Sequence, residues 1–251
     1  MRERDVAGRL GGFIAEGEVV LRVLARSRLH RPRSVLVAAK RVPALAAILA
    51  DFDEEVEVFA AAQVVMDAIA GFHIHRGVLA FAARAPAVSA DERLAAIAGP
   101  AVVLALFGIS NHDNIGGVFR NAAAFGARAV LIDTACCDPL YRKAIRVSVG
   151  GSLIVPFARL APGEDALELF ERHRFTALAL SPAGIRPLAR SGAPARAAVL
   201  LGAEGAGLPP ALMARARTIA IPMADRFDSL NVATTSGIVL HHLASYGRAT
   251  D

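Results

Sequence analysis

Ala101-Val102-Val103-Leu104-Ala105-Leu106-Phe107 runs without a polar side chain toward Asn111-His112-Asp113-Asn114-Ile115-Gly116-Gly117-Val118-Phe119-Arg120-Asn121. A strand covered on both faces reads as an unbroken apolar run, which marks the middle of a parallel sheet. The polar residues and paired glycines that follow suit a turn from strand into helix. Asn114 is placed to cap that helix, and the glycines permit close approach to its N-terminus. Similar apolar runs recur at Ala129–Ile132, Leu153–Phe157, Thr176–Leu180, Ala197–Leu201 and Thr218–Ile221, with helical stretches between most of them. The spacing predicts an α/β fold with a parallel sheet, whose ligand sits at the carboxyl ends of the strands.

Two more loops follow predicted strands. Leu201-Gly202-Ala203-Glu204-Gly205-Ala206-Gly207-Leu208-Pro209-Pro210 places three glycines around one acid. Its GxxGxG spacing is not the dinucleotide fingerprint, and a central acid does not suit a phosphate cradle. A flat, neutral or cationic ligand fits better. Ile221-Pro222-Met223-Ala224-Asp225-Arg226-Phe227-Asp228-Ser229-Leu230-Asn231-Val232 ends a strand at Pro222 and offers Ser229 as N-cap for a last helix reaching Tyr246. Met223 and Leu230 could floor an adenine. Within that helix Val232, Val239, Leu243 and Tyr246 form an apolar stripe. Taken singly, each loop also reads as an ordinary connection: a capped surface helix with a salt-bridging Arg120, a Gly-rich turn, a strand–loop–helix link.

Upstream, helices are expected over Val19–Leu24, Val42–Ala50 and Gln63–Ala70, and strands over Ser34–Ala38, Val56–Phe59 and Gly77–Ala83. This is a small α/β layer of its own. The expected division is 1–86 for that domain, 87–98 for a linker and short helix at Asp91–Ala98, and 99–251 for the larger domain.

The 251 residues are 55% hydrophobic and 20% charged, a globular balance, and no run approaches the ~18 apolar residues of a membrane helix. Residues 1–5 lack a signal core, and adjacent Cys136 and Cys137 cannot build a disulfide framework, so a cytoplasmic home is expected. His73-x-His75 and His241-His242 lack partners at ligand spacing, so no metal is expected. Net charge is +5, with 28 basic residues of which only Lys40 and Lys143 are lysine. From Val19 to Ala50 there are seven basic residues and no acid: Arg22, Arg26, Arg28, Arg31, Arg33, Lys40 and Arg41. Such a stretch reads as a polyanion patch or as a solvated helix face.

In this order and at these separations the three loops resemble the SpoU/TrmH family of RNA 2′-O-ribose methyltransferases, within the SPOUT superfamily. Asn114…Gly116…Arg120…Gly126 looks like its first motif, Leu201–Gly205 with Gly207-Leu208 its second, and Ile221-Pro222-Met223 with Ser229–Val232 its third. Ser148…Gly150-Gly151 resembles a turn between them. The likeness spans roughly Ala101 to Tyr246. More loosely, Phe13–Gly17 and Gly71-Phe72-His73-Ile74-His75-Arg76-Gly77-Val78-Leu79-Ala80 resemble the family's substrate-binding domain, similar to ribosomal protein L30e.

The resemblance implies a C-terminal trefoil knot, S-adenosylmethionine held by Gly202, Ala203, Ile221, Met223 and Leu230, and a homodimer in which Arg120 reaches the partner's methyl donor. It implies catalytic roles for Arg120, Asn114, Glu204, Ser229 and Asn231, with Glu204 the expected partner of Arg120. The last helix is the expected dimer surface. Structured RNA, ribosomal or transfer, is the implied substrate, with Arg22, Arg26, Arg28, Arg31, Arg33, Arg41 and Arg76 as candidate contacts. His112 stands where many relatives have Pro, and Thr234-Thr235 where small apolar residues are usual. The alternatives are a non-catalytic RNA-binding protein of the same fold and an unrelated nucleotide-binding enzyme. A dehydrogenase, however, should show GxGxxG after its first strand, and neither part does.

Overall fold

The computed structural model describes residues 11–71, 73–225 and 229–248, with side chains to residue 245. The first ten residues, Phe72, Arg226-Phe227-Asp228 and the side chain of Tyr246, all part of the readings above, lie outside the described residues. The chain forms two units. The first holds the described residues up to Pro86 together with Asp138–Ile154, and the second holds Ala87–Cys137 and the described residues from Val155 on.

The first unit is a four-stranded mixed sheet with helices. In chain order it comprises β1 (Gly12–Glu16), α1 (Glu18–Ala25), β2 (Arg31–Ala38), α2 (Val42–Leu49), β3 (Glu57–Ala61), α3 (Gln63–Ala70) and β4 (Val78–Ala83). The strand order is β1-β4-β2-β3, with β4 antiparallel to both neighbours and β2 parallel to β3. In this unit β1 is the strand that the periodicity does not predict, because five residues beginning on the second of two glycines are too short to show alternation. The expected boundaries put 138–154 in the 99–251 domain, whereas its contacts group it with the first unit. Ser27 Oγ donates to the Leu153 carbonyl at 2.7 Å, Arg84 pairs with Asp138, and Gly150 lies against Val23, where a Cβ would approach to 3.0 Å.

The second unit contains α4 (Ala90–Ala95), β5 (Ala101–Phe107), α5 (His112–Ala124), β6 (Ala129–Ile132), β7 (Phe157–Arg159), α7 (Ala166–Arg172), β8 (Thr176–Leu180), β9 (Arg186–Pro187), β10 (Arg196–Gly202), α8 (Pro210–Arg215), β11 (Arg217–Ala220) and α9 (Val232–Arg248); α6 (Arg142–Val147) belongs to the first unit. Its seven strands run in the order β7-β6-β5-β10-β8-β11-β9, and every pairing is parallel. β5 and β10 sit side by side near the middle, which is why Val103, Leu104, Ala105 and Leu106 face Ala198, Val199, Leu200 and Leu201 with all but Leu201 fully buried. Ser89 opens α4 with a capping box to Glu92. The predicted strand Leu153–Phe157 is also corrected. Gly151–Leu153 form a 3₁₀ turn after Gly150, whose φ is +83°, and Pro156 has no N–H for the ladder, so the strand starts at Phe157.

Candidate functional site

The polar loops converge where β8, β10 and β11 end. There a cleft of about 620 Å³ is lined by Leu180, Ser181 and Pro182 after β8, by Leu201–Gly205 and Gly207 at the end of β10, by Ile221 and Met223 after β11, and by residues 229–232 with Thr235 at the start of α9. That volume is within the roughly 300–1,000 Å³ of small-molecule sites. Gly202, Ala203, Glu204, Ile221, Met223, Ser229, Leu230 and Asn231, all expected from the sequence, share this one cleft. Ser181 and Pro182 were missed. Their signal was a polar pair directly after the apolar run Thr176–Leu180, the same mark that identified the other loops.

The β10 loop folds back on itself. Gly207 N donates to the Ala203 carbonyl at 2.9 Å, and a Cβ on Gly202 would lie 2.2 Å from the Gly207 carbonyl carbon. Only glycine permits that approach. The loop thereby presents Glu204, whose Oε1 accepts from Asn114 Nδ2 at 3.0 Å and from Asn231 Nδ2 at 2.9 Å. Asn231 Nδ2 also donates to Asn114 Oδ1 at 2.8 Å. One side chain from each of the three loops thus enters a single clasp, and two of its bonds are strengthened by the carboxylate charge.

This arrangement corrects three expectations. Asn114 does not cap α5, because Asn111 does, with its side chain accepting from Asp113 N; Asn114 is buried one turn inside. Ser229 does not cap the last helix. Asn231 Oδ1 takes that role, accepting from Ala233 N at 2.9 Å and Thr234 N at 3.2 Å, and the helix begins at Val232. In α5 two asparagines compete, and Asn111 takes the cap, which leaves Asn114 for the clasp; in α9 Asn231 does both, capping through Oδ1 while its Nδ2 enters the clasp. Glu204 is bonded to the two asparagines and not to Arg120. Arg120 stands exposed on α5, with no hydrogen bond or ion pair among the described residues.

α5 is held against α9. Asn121 Nδ2 donates to the Ala233 carbonyl at 2.6 Å and to Ser236 Oγ at 2.9 Å, and a Cβ on Gly117 would lie 2.6 Å from that of Ala233. The small residues let the two helices approach within one chain. Val232, Val239 and Leu243 are buried within the protomer, so the apolar stripe does not offer the dimer surface expected of it. On the β5 side, Cys136 Sγ donates to the Leu106 carbonyl at 3.4 Å, and burial pushes its thiol up to about 12. It stays protonated and serves packing.

The basic stretch of the first unit is not one-signed in space. Arg22 pairs with Glu18 at 3.4 Å, Arg41 with the same Glu18 at 3.0 Å, Arg26 with Asp51 at 3.2 Å, and Arg31 with Glu55. The acids that follow the stretch in sequence fold back beside it. Arg28, Arg33 and Arg76 remain exposed without an ion pair among the described residues; Arg76 lies across Gly17, where a Cβ would approach its Cδ to 2.8 Å. His73 bonds Asp67 at 2.7 Å.

The model of the SpoU rRNA Methylase family matches residues 101–241. The chain belongs to this family. An uncharacterized tRNA/rRNA methyltransferase of Mycobacterium tuberculosis is 36% identical over 239 residues, covering 93% of this chain and 81% of that protein. The 23S rRNA (guanosine-2′-O-)-methyltransferase RlmB of Ralstonia nicotianae is 30% identical over 174 residues, 68% of this chain and 70% of that protein. In fold, the chain matches the SpoU methyltransferase AviRb of Streptomyces viridochromogenes, solved in complex with AdoMet, with a TM-score of 0.81 at 21% identity over 99% of this chain and 95% of that one. This SpoU family member is therefore an RNA methyltransferase with the α/β parallel-sheet architecture of its relatives. No helix among its described residues is long and apolar enough to cross a membrane.

Proposed function

We propose that this SpoU family protein transfers a methyl group from S-adenosylmethionine to a ribose 2′-OH of a structured ribosomal or transfer RNA, as a cytoplasmic homodimer. The observation that carries the reading is the cleft. Its walls combine apolar Leu201, Ile221, Met223 and Leu230 with a glycine-rich backbone, which suits a flat purine and a flexible thioether-like chain. A carboxylate, Glu204, lies on the rim and suits a cationic group. Among the described residues no basic side chain lines the cleft, whereas a nucleotide phosphate would call for several. Relatives named for AdoMet and for 2′-O methylation support the same assignment. The trefoil knot implied by the family resemblance belongs to the proposal, as does the role of the first unit as an RNA-binding module similar to ribosomal protein L30e. In that module Arg28, Arg33 and Arg76 are the candidate phosphate contacts, because the other four arginines already have carboxylate partners.

S-adenosylmethionine supplies an electrophilic methyl on a sulfonium. The chain's task is to align the 2′-oxygen with that methyl and to help its proton leave, and alignment of this kind is worth about 7–11 kcal/mol. Arg120 stays protonated, so it positions the hydroxyl or its neighbouring phosphate by donating hydrogen bonds. The lack of a side-chain partner for Arg120 among the described residues supports a role across a dimer. The Asn114–Glu204–Asn231 clasp fixes the rim of the cleft. Ser229, on the same rim, contributes a hydroxyl toward the RNA. Calorimetric titration with S-adenosylmethionine tests the cleft: Leu230→Arg should abolish binding while the thermal transition stays in place. Undiminished binding by that variant would move the cofactor elsewhere.

A further inference from the structure

The opposite edge of the second unit's sheet, where its strands begin, carries a second cleft of about 460 Å³ lined by Gly99, Pro100, Arg172, His173, Arg174, Ala195 and Arg196. We propose that this cleft binds a phosphate oxyanion, and that its source is the backbone of RNA. Among the described residues no carboxylate lines it. Asp91 lies beside it and takes Arg172 at 2.8 Å and His173 at 2.9 Å, and those two hold its carboxyl below the usual carboxylate range. Three guanidiniums therefore stand against one carboxylate, with Glu171 the other exposed acid on the turn.

Two of those guanidiniums are available, in different ways. Arg196 is locked in place. Its Nε donates to the His173 carbonyl at 3.1 Å, one Nη donates to the Ile97 carbonyl at 3.0 Å and the Gly99 carbonyl at 2.6 Å, and its plane lies 4.1 Å from the Phe175 ring centre. The remaining Nη keeps two N–H donors with no bond among the described residues. A fork already fixed loses little freedom on meeting an anion. Arg174 is exposed, with no hydrogen bond or ion pair from its side chain among the described residues. Its φ is +59°, at the stop of α7, where the left-handed conformation favours glycine. An arginine standing in glycine's place is a backbone outlier that points to a use for the side chain. The competing account is that basic residues gather here only to answer the carboxyl end of the α7 dipole.

Arg174→Gly separates the two, because it removes the charge while relieving the backbone. The full-length protein is titrated by fluorescence anisotropy with a labelled random-sequence RNA oligonucleotide across a salt series, and by calorimetry with inorganic phosphate. Thermal melts are run alongside. Arg174→Gly should melt at or above the wild-type temperature yet bind RNA about 5-fold more weakly at low salt, with the log K against log salt slope reduced by about 0.7, as for one lost phosphate contact on a single strand. Arg174→Lys should restore most of the slope. Loss of inorganic phosphate binding with RNA affinity intact would keep the oxyanion site and make a free anion its source. If Arg174→Gly changes neither ligand, the site does not exist. The cleft shares no residue with the cofactor cleft, so failure here leaves the methyl-transfer reading standing, and the reverse.

Discussion

Replacing Asn114 by Asp changes one atom of the clasp and reverses its sign. In the native structure Asn114 Nδ2 donates to Glu204 Oε1 at 3.0 Å. In Asn114→Asp a carboxylate oxygen would take that place against another carboxylate. Two unit charges about 3 Å apart at an effective dielectric of about 20 repel by about 5 kcal/mol, which is an upper bound. Glu204 is exposed, so water and rotation relieve part of this, and a net loss of about 2 kcal/mol is expected. For a chain of this size each kcal/mol shifts Tm by about 2–4 °C, which predicts a fall of about 4–8 °C at pH 7.5. The pair should then share a proton, with one carboxyl raised above its ordinary value. A raised carboxyl makes the folded state the better proton binder, so the deficit should shrink as pH falls toward 5. Asn114→Asp combined with Glu204→Gln restores a donor opposite the new acid and should recover most of the loss. Differential scanning fluorimetry at both pH values checks this. A single variant that melts like wild type at pH 7.5, or a double variant no better than the single, would refute the clasp.

Arg120→Ala should abolish methyl transfer in a tritium assay while calorimetry shows S-adenosylmethionine affinity within about 2-fold of wild type. Gly202→Ala brings a Cβ to within 2.2 Å of the Gly207 backbone, so the β10 loop must move; cofactor affinity should fall at least about 10-fold by calorimetry, with a Tm loss of a few degrees, about 1 kcal/mol or more. His30 is buried, its Nδ1 accepting from Ala85 N at 3.1 Å, and burial, then the neighbouring Arg84 cation, lowers it to about 4. The unfolded chain binds this proton more readily, so the contribution is present above pH 6.5 and lost as pH falls toward 4, on the order of 3 kcal/mol in total. Denaturant unfolding at pH 7 and pH 4.5 should show a slope in wild type that His30→Gln flattens.

The sheet was legible because its middle strands are apolar on both faces; Ala101–Phe107 and Thr176–Leu180 begin and end where the unbroken runs do. The cleft was legible because glycine and polar residues directly follow such runs. What could not be read was pairing at a distance. Nothing local tells which of two nearby polar residues caps a helix, yet Asn111 rather than Asn114 and Asn231 rather than Ser229 do so, and Asn114 reaches a glutamate ninety positions on. Nor does sequence order show that Asp51 and Glu55 return to the arginines before them. The stripe of α9 reads as an interface because periodicity reveals an apolar face but not whether the protomer itself buries it, as it does here. Residues 138–154 group with the first unit for a similar reason: an inserted helix and 3₁₀ turn pack by contacts that no spacing encodes.

The most direct test of the account is chemical identification of the product. RNA incubated with the protein and methyl-labelled S-adenosylmethionine is hydrolysed with alkali, which cannot cut beside a methylated 2′-oxygen. The account predicts that the label is recovered in alkali-resistant dinucleotides with wild type and in none with Arg120→Ala. Label recovered only in mononucleotides, on a base, would contradict it.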